Sequence, residues 1–202
     1  MTLLLAFGVS YLIGSIPFGL ILTKAFNLGD LRSIGSGNIG ATNVLRTGNK
    51  KVAALTLVLD MLKGFLPAFI FVEYGILIAT LAAFGAILGH CYPVWLKFKG
   101  GKGVATILGI LLGLNPFVGL ATAATWLLVA FLGKISSLSA LVAVSIAPFY
   151  MIIFGTPKLS YAVVIMAILV YWRHRENIKR LANGTEPKIG SDKKKKAETL
   201  EE

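Results

Sequence analysis

The sequence predicts an all-α integral membrane protein of about seven transmembrane or partly spanning helices, with the N-terminus outside and the C-terminus cytoplasmic. Three observations carry this. Hydrophobic residues make up 56% of the 202-residue chain, and mean hydropathy is +0.79; a soluble domain of this length could not hide so much apolar surface. Apolar runs alternate with polar stretches rich in glycine, lysine and arginine. The basic residues of those stretches collect on one side of the membrane if seven segments are counted.

The first run, Leu3–Leu22, has neither a basic leader nor a small-residue cleavage site, so it reads as a retained helix. Lys24, Arg32, Arg46, Lys50 and Lys51 follow it and place that loop in the cytoplasm. Val52–Val72 crosses to Glu73-Tyr74-Gly75, a turn without basic residues, and Ile76–Cys91 returns to Lys97, Lys99 and Lys102. Val104–Leu132 is too long for one ordinary crossing and contains Asn115-Pro116, a turn signal. As one helix it would put Lys134 and the basic tail outside. As a hairpin it returns them inside and leaves Lys158 as the one basic loop residue outside. The hairpin's first arm, Val104–Leu114, would rise about 16 Å as a helix, against a hydrocarbon core of about 30 Å. It is therefore expected to span only partly and to be covered by protein. Leu138–Phe154 and Tyr161–Trp172 complete the set. Residues 1–181 form one membrane-embedded domain, and 182–202, with Lys193–Lys196, reads as a disordered polar tail.

The net charge of +11 on so oily a chain points to anionic headgroups and anionic substrates, not nucleic acid. Cys91 is the one cysteine, which excludes an internal disulfide. Asp30, Asp60 and Glu73 are scattered, so no carboxylate cluster suited to Mg²⁺ is expected, nor any metal or cofactor. A His-x4-Asp acyltransferase dyad is absent: Trp95 stands five after His90 and Lys179 five after His174.

Three constellations carry chemistry, and all fall on the cytoplasmic side of the expected topology. Gly35-Ser-Gly-Asn-Ile-Gly-Ala-Thr-Asn43 with Arg46 offers a backbone nest, neutral donors and a planar cation, a combination that suits phosphate. The bland reading is a flexible loop with helix caps. Phe98-Lys-Gly-Gly-Lys-Gly103 puts an ammonium among glycines just before a helix start. It lacks the spacing of a nucleotide-binding phosphate loop, and its bland reading is a lysine cluster touching lipid phosphates. Trp172-Arg-His-Arg-Glu-Asn-Ile-Lys-Arg180, if helical, sets His174 and Asn177 three apart, with Arg173, Asn177 and Arg180 as a further stripe. The plain alternative is the basic end of a last helix, anchored by Tyr171 and Trp172. Asp60 and Lys63 read as an ion pair within the membrane, His90 as a structural histidine, and Ser137 as a cap or a ligand hydroxyl.

Together these pieces resemble the bacterial acyl-phosphate:glycerol-3-phosphate acyltransferase family, PlsY. The likeness runs through Gly35–Asn43, Asp60-Met-Leu-Lys-Gly64, Gly89-His-Cys-Tyr-Pro93, Phe98–Gly103, Ser137-Leu138, Arg173–Ile178 and Arg180, in order, from about residue 10 to residue 181. The resemblance implies a seven-helix enzyme of the bacterial inner membrane with its site facing the cytoplasm. Such an enzyme moves a fatty acyl chain from long-chain acyl phosphate to the 1-hydroxyl of glycerol 3-phosphate, giving 1-acyl-glycerol 3-phosphate and phosphate. It implies Ser36, Asn38, Arg46, Lys102, His174 and Asn177 as catalytic residues. Gly35, Gly37, Gly40, Asn43, Lys97, Gly100, Gly101, Gly103, Ser137, Arg173 and Arg180 would bind substrate phosphate. Membrane lipids are the other partners; the sequence leaves the oligomeric state open and is compatible with a monomer.

The residues agree with that chemistry. Two phosphorylated reactants call for two anionic pockets, and two glycine-rich stretches with Arg46 and Lys102 are present. Acyl phosphate has a good leaving group, so positioning and charge neutralisation can supply most of the rate. His174 could take the hydroxyl proton, or could orient phosphate while the acceptor's own phosphate takes it. An anion transporter would place its motifs on both faces and show a duplicated half, which this chain does not. A scaffold protein would need no anion sites.

Overall fold

The computed structural model describes residues 2–190, and no strand occurs among them. Among the described residues five helices are long and apolar enough to cross a membrane: Leu3–Ala25, Lys50–Val72, Ile76–Leu96, Pro116–Gly133 and Ser136–Phe154. Val104–Leu114 is shorter, as is the fourteen-residue Ser160–Arg173. The chain is thus a multi-pass helical membrane protein, and the hairpin turns at Asn115-Pro116, where the sequence expects it. The lysine run 193–196 lies outside the described residues.

Local chemistry accounts for the breaks. The first span divides into α1 (Thr2–Gly14) and α2 (Phe18–Ala25) at Pro17, whose ring cannot donate to the ladder. A four-residue turn, α3 (Ala41–Val44), precedes α4 (Lys50–Val72). Asn49 caps α4, its side-chain oxygen accepting from the Val52 N–H at 3.1 Å. α5 covers Ile76–Cys91 and α6 Val104–Leu114, the latter entered through Gly103 at φ +87°, a left-handed value glycine adopts without steric cost. α7 (Pro116–Gly133) opens on proline, with the Asn115 carboxamide accepting from the N–H groups of Phe117 and Val118. The same side chain donates to the Phe154 carbonyl at 3.0 Å, tying the hairpin turn to the end of α8 (Ser136–Phe154). α9 (Ser160–Arg173) does not run on to residue 180. It ends at His174, and α10 (Arg175–Ala182) starts anew.

Bilayer lipid is as apolar as leucine, so helix contacts depend on close approach more than on burial of oil. Glycines supply that approach. A Cβ on Gly14, Gly85 or Gly89 would overlap backbone across the α1–α5 contact, and one on Gly64 or Gly109 would do so across α4–α6. The short α6 is enclosed, with Ile107, Ile110 and Leu111 fully buried, so its partial length costs little. α7 carries the lipid-facing side, with Phe117, Leu127, Phe131 and Leu132 exposed. A second apolar cluster of Leu31, Ile39, Val44, Val52 and Ala53 lies under the first polar loop and fixes it to the start of α4.

Gly109 tests the close-approach account. Gly109→Ala sets a methyl against the Met61 carbonyl, with the Met61 Cα 3.0 Å away. It is expected to cost about 1–3 kcal/mol, read as a lower unfolding temperature in detergent. Gly8→Ala, inside α1 with nothing within 4 Å, should not lower that temperature.

Candidate functional site

The polar stretches 27–51, 93–103, 134–139 and 173–190 meet at one end of the bundle. Four contacts show it. Arg32 Nη2 donates to the Lys99 carbonyl at 2.8 Å. The Thr42 and Ser136 hydroxyls are 3.2 Å apart. Lys102 Nζ donates to Asn177 Oδ1 at 2.5 Å. The Ile189 N–H donates to the Lys134 carbonyl at 2.7 Å.

Asn177 is the hub. While its Oδ1 accepts from Lys102, its Nδ2 donates to Glu186 Oε1 at 2.6 Å. The Ser137 hydroxyl donates to the same oxygen at 2.7 Å, and Arg180 Nε donates to Glu186 Oε2 at 2.7 Å. One carboxylate thus gathers donors from α8 and α10, and Lys102 joins from the loop before α6. The chain returns to place it through a turn at Gly184, φ +68°. Residues 183–190 therefore take part in the site, although the sequence reading assigned them to a featureless tail. Glu186 is the residue that reading missed. A carboxylate two residues beyond a glycine, just after a helix bearing Asn177 and Arg180, was the available signal.

Electrostatics follow from crowding. Burial and then the Arg180 charge bring the Lys102 ammonium down to about 8, with Arg173 and Arg46 adding to the effect and Glu186 opposing it. Arg46 therefore lies within electrostatic reach of Lys102. Burial would raise the Glu186 carboxyl, but hydrogen bonds from Ser137, Asn177 and Arg180 outweigh it and hold it below its ordinary value. Burial drives His174 down to about 4 despite its contact with the Val170 carbonyl. His174 is 3% exposed. Its Nδ1 lies 2.8 Å from that carbonyl, which assigns the proton to Nδ1 and leaves Nε2 unprotonated.

The first loop is compact. Asn43 is buried and braces it, Nδ2 donating to the Leu31 carbonyl at 2.9 Å and Oδ1 accepting from the Ser36 N–H at 3.3 Å. Gly35, at φ +54°, lets the Arg46 side chain lie against its Cα, where a Cβ would sit 2.7 Å from Asn43 Oδ1. Gly37 has φ +64°, and its N–H closes a turn onto the Ile34 carbonyl at 3.0 Å. Gly40 takes extended backbone ahead of α3, beside the Asn38 carboxamide. Ser36 and Lys97 are exposed, and neither they nor Asn38 enter the hydrogen-bonded network around Asn177.

The second glycine stretch differs from the open nest read in the sequence. The N–H groups of Gly100 and Gly101 donate to the Cys91 and His90 carbonyls at 3.1 and 3.0 Å. They hold the loop to α5 and so do not point together at a ligand. Arg173, read as a phosphate ligand, donates Nη2 to the Gly100 carbonyl at 2.8 Å and Nε to that of Gly101 at 2.9 Å. Deeper in the membrane Asp60 and Lys63 pair at 2.6 Å, as their spacing suggests. No group of three metal-ligating side chains occurs among the described residues.

Comparison with known proteins places this arrangement. The family model described as glycerol-3-phosphate acyltransferase matches residues 4–184. A glycerol-3-phosphate acyltransferase of Rhizobium etli (strain CIAT 652) is 56% identical over 184 residues, covering 91% of this chain and 89% of that protein. One from Brucella canis (strain ATCC 23365 / NCTC 10854 / RM-666) is 56% identical over 181 residues, covering 90% of each. The crystal structure of PlsY (YgiH), an integral membrane glycerol 3-phosphate acyltransferase, in its glycerol 3-phosphate form superposes with TM-score 0.89. It is 38% identical, with 95% of this chain and 97% of that chain covered. The lysophosphatidic acid form superposes with TM-score 0.85 at 36% identity and the same coverage. With the family match running through residues 4–184, which include Lys102, Ser137, Asn177 and Arg180, this chain belongs to the glycerol-3-phosphate acyltransferase family of integral membrane acyltransferases, of the PlsY type.

Proposed function

We propose that this acyltransferase takes its acyl group from a long-chain acyl phosphate and passes it to the 1-hydroxyl of glycerol 3-phosphate. It releases 1-acyl-glycerol 3-phosphate and inorganic phosphate, as the first acylation of phospholipid synthesis. The reaction takes place at the cytoplasmic surface of a bacterial inner membrane. The observation that carries this reading is the meeting of Lys102, Ser137, Asn177 and Arg180 in one hydrogen-bonded cluster within the field of Arg46. A site rich in fixed cations and amides, and built without a strong acid, suits reactants that bring their own phosphates.

The 1-hydroxyl oxygen attacks the acyl carbon. The new ester C–O bond forms as the bond from that carbon to the phosphate oxygen breaks, and phosphate leaves. Ser36, Asn38 and Arg46 would serve one phosphate, and Lys102, Asn177 and Arg180 the other, with the Ser137 proton holding Glu186 in place. Glu186 keeps Ser137, Asn177 and Arg180 aimed. A phosphate monoester, with a second pKa of about 6, is a better base than His174 at about 4. This favours His174 Nε2 as a positioning acceptor while substrate phosphate takes the hydroxyl proton. The acyl chain lies against the lipid-facing helices.

Purified protein given labelled glycerol 3-phosphate and palmitoyl phosphate should form lysophosphatidate without ATP, coenzyme A or added metal. Product formed from acyl-coenzyme A but not from palmitoyl phosphate would overturn the donor assignment. The Lys102 ammonium is charged below pH 8 and loses its proton as pH rises through about 8. KM for the phosphorylated substrate it holds should therefore rise above that pH, by roughly tenfold per pH unit at most. A KM flat to pH 9.5 would remove Lys102 from phosphate binding.

A further inference from the structure

The Gly100–Gly101 dipeptide is held from both sides. On one side its two N–H groups donate to the carbonyls that end α5, those of Cys91 and His90, at 3.1 and 3.0 Å. On the other its two carbonyls accept from the Arg173 fork at 2.8 and 2.9 Å. That guanidinium also lies over the Tyr92 ring, 5.1 Å from its centroid, which fixes its plane. Beneath the strap is the His90 imidazole, 4% exposed. A Cβ on Gly101 would overlap its Nε2 and stand 2.7 Å from Cε1. The ring's other nitrogen, Nδ1, is 3.9 Å from Asp60 Oδ1. Asp60 is paired with Lys63, which donates to the Ile16 carbonyl at the α1–α2 break at 2.8 Å. Two helices, α5 and α9, thus hold one peptide segment directly, and the residue after that segment is Lys102.

A bidentate guanidinium engaged by two backbone carbonyls is arranged to fix a loop, and an imidazole pressed on a glycine Cα sets how near that loop can come. We propose that Arg173 and His90 are positioning residues, which clamp the Gly100–Gly101 strap between α5 and α9 and through it set the place of the Lys102 ammonium. Arg173 acts on the substrate by way of Lys102 and not as a phosphate ligand itself. This inference rests on the reading of Lys102 as a residue that engages a substrate phosphate.

The test is a pair of double-mutant cycles read as kcat/KM with glycerol 3-phosphate and palmitoyl phosphate. Arg173→Lys keeps the charge but cannot hold both carbonyls. Gly101→Ala pushes the strap off the His90 ring. Each is expected to lower kcat/KM on the order of 100-fold, the scale of a misplacement of about 1 Å. In a Lys102→Ala background each should cost less than about threefold, because the group they position is gone. Calorimetric binding of glycerol 3-phosphate supplies the same cycle if activity without Lys102 is too low to follow. Gly101→Ala with His90→Ala should recover at least about tenfold over Gly101→Ala alone, since the overlapping ring is removed. Equal losses from Arg173→Lys with and without Lys102 would make Arg173 an independent ligand and overturn the proposal. Independent losses from His90→Ala and Gly101→Ala would remove His90 from it. Full activity of Lys102→Ala would instead sink the reading of Lys102, and thermal unfolding of each variant separates misplacement from loss of fold.

Discussion

The carboxamide of Asn177 joins two halves of the site. Its oxygen takes a hydrogen bond from Lys102, which arrives on the loop between α5 and α6, and its nitrogen gives one to Glu186, which arrives after α10. A neutral amide suits this place, because it bridges a cation and an anion without adding a third charge. Without it, Lys102 would face Arg180 and Arg173 with little between them, and those charges already press its ammonium toward the neutral form. The cluster is thus rich in cations and still held together.

The membrane explains why so much of the scaffold is glycine and paired charge. Where lipid removes the hydrophobic drive between helices, contact needs backbones brought close, and Gly14, Gly89, Gly64 and Gly109 permit that. A lone charge at membrane depth is expensive, so Lys63 has both the Asp60 carboxylate and the Ile16 carbonyl at the α1–α2 break. That carbonyl lies at the break between α1 and α2, and α2 leads on to the first polar loop.

Much of this was legible beforehand. Hydropathy and the basic loops marked the segments, and Asn115-Pro116 marked the hairpin, because proline and asparagine act through local backbone chemistry. That the polar stretches share one end of the bundle followed from the same count. What spacing could not reveal was where each backbone hydrogen goes. Gly100 and Gly101 looked like an open nest, but their N–H groups are taken by α5, a contact set by how α5 and α9 pack. The bonds from Arg173 to the Gly100 and Gly101 carbonyls depend on the same packing. His174 ends α9, where its side chain bonds back to the Val170 carbonyl, a break between α9 and α10 that spacing does not show. Glu186 was hidden by its position in a polar tail, since only the turn at Gly184 returns it to the pocket.

The bond from Lys102 to Asn177 makes the two side chains one working unit if they serve the same phosphate. A double-mutant cycle of Lys102→Ala and Asn177→Ala, read as kcat/KM in folded protein, decides this. The double variant should fall within about threefold of the more damaged single one, as for groups that act together. Losses that multiply would mean the two side chains serve separate tasks, and would contradict it.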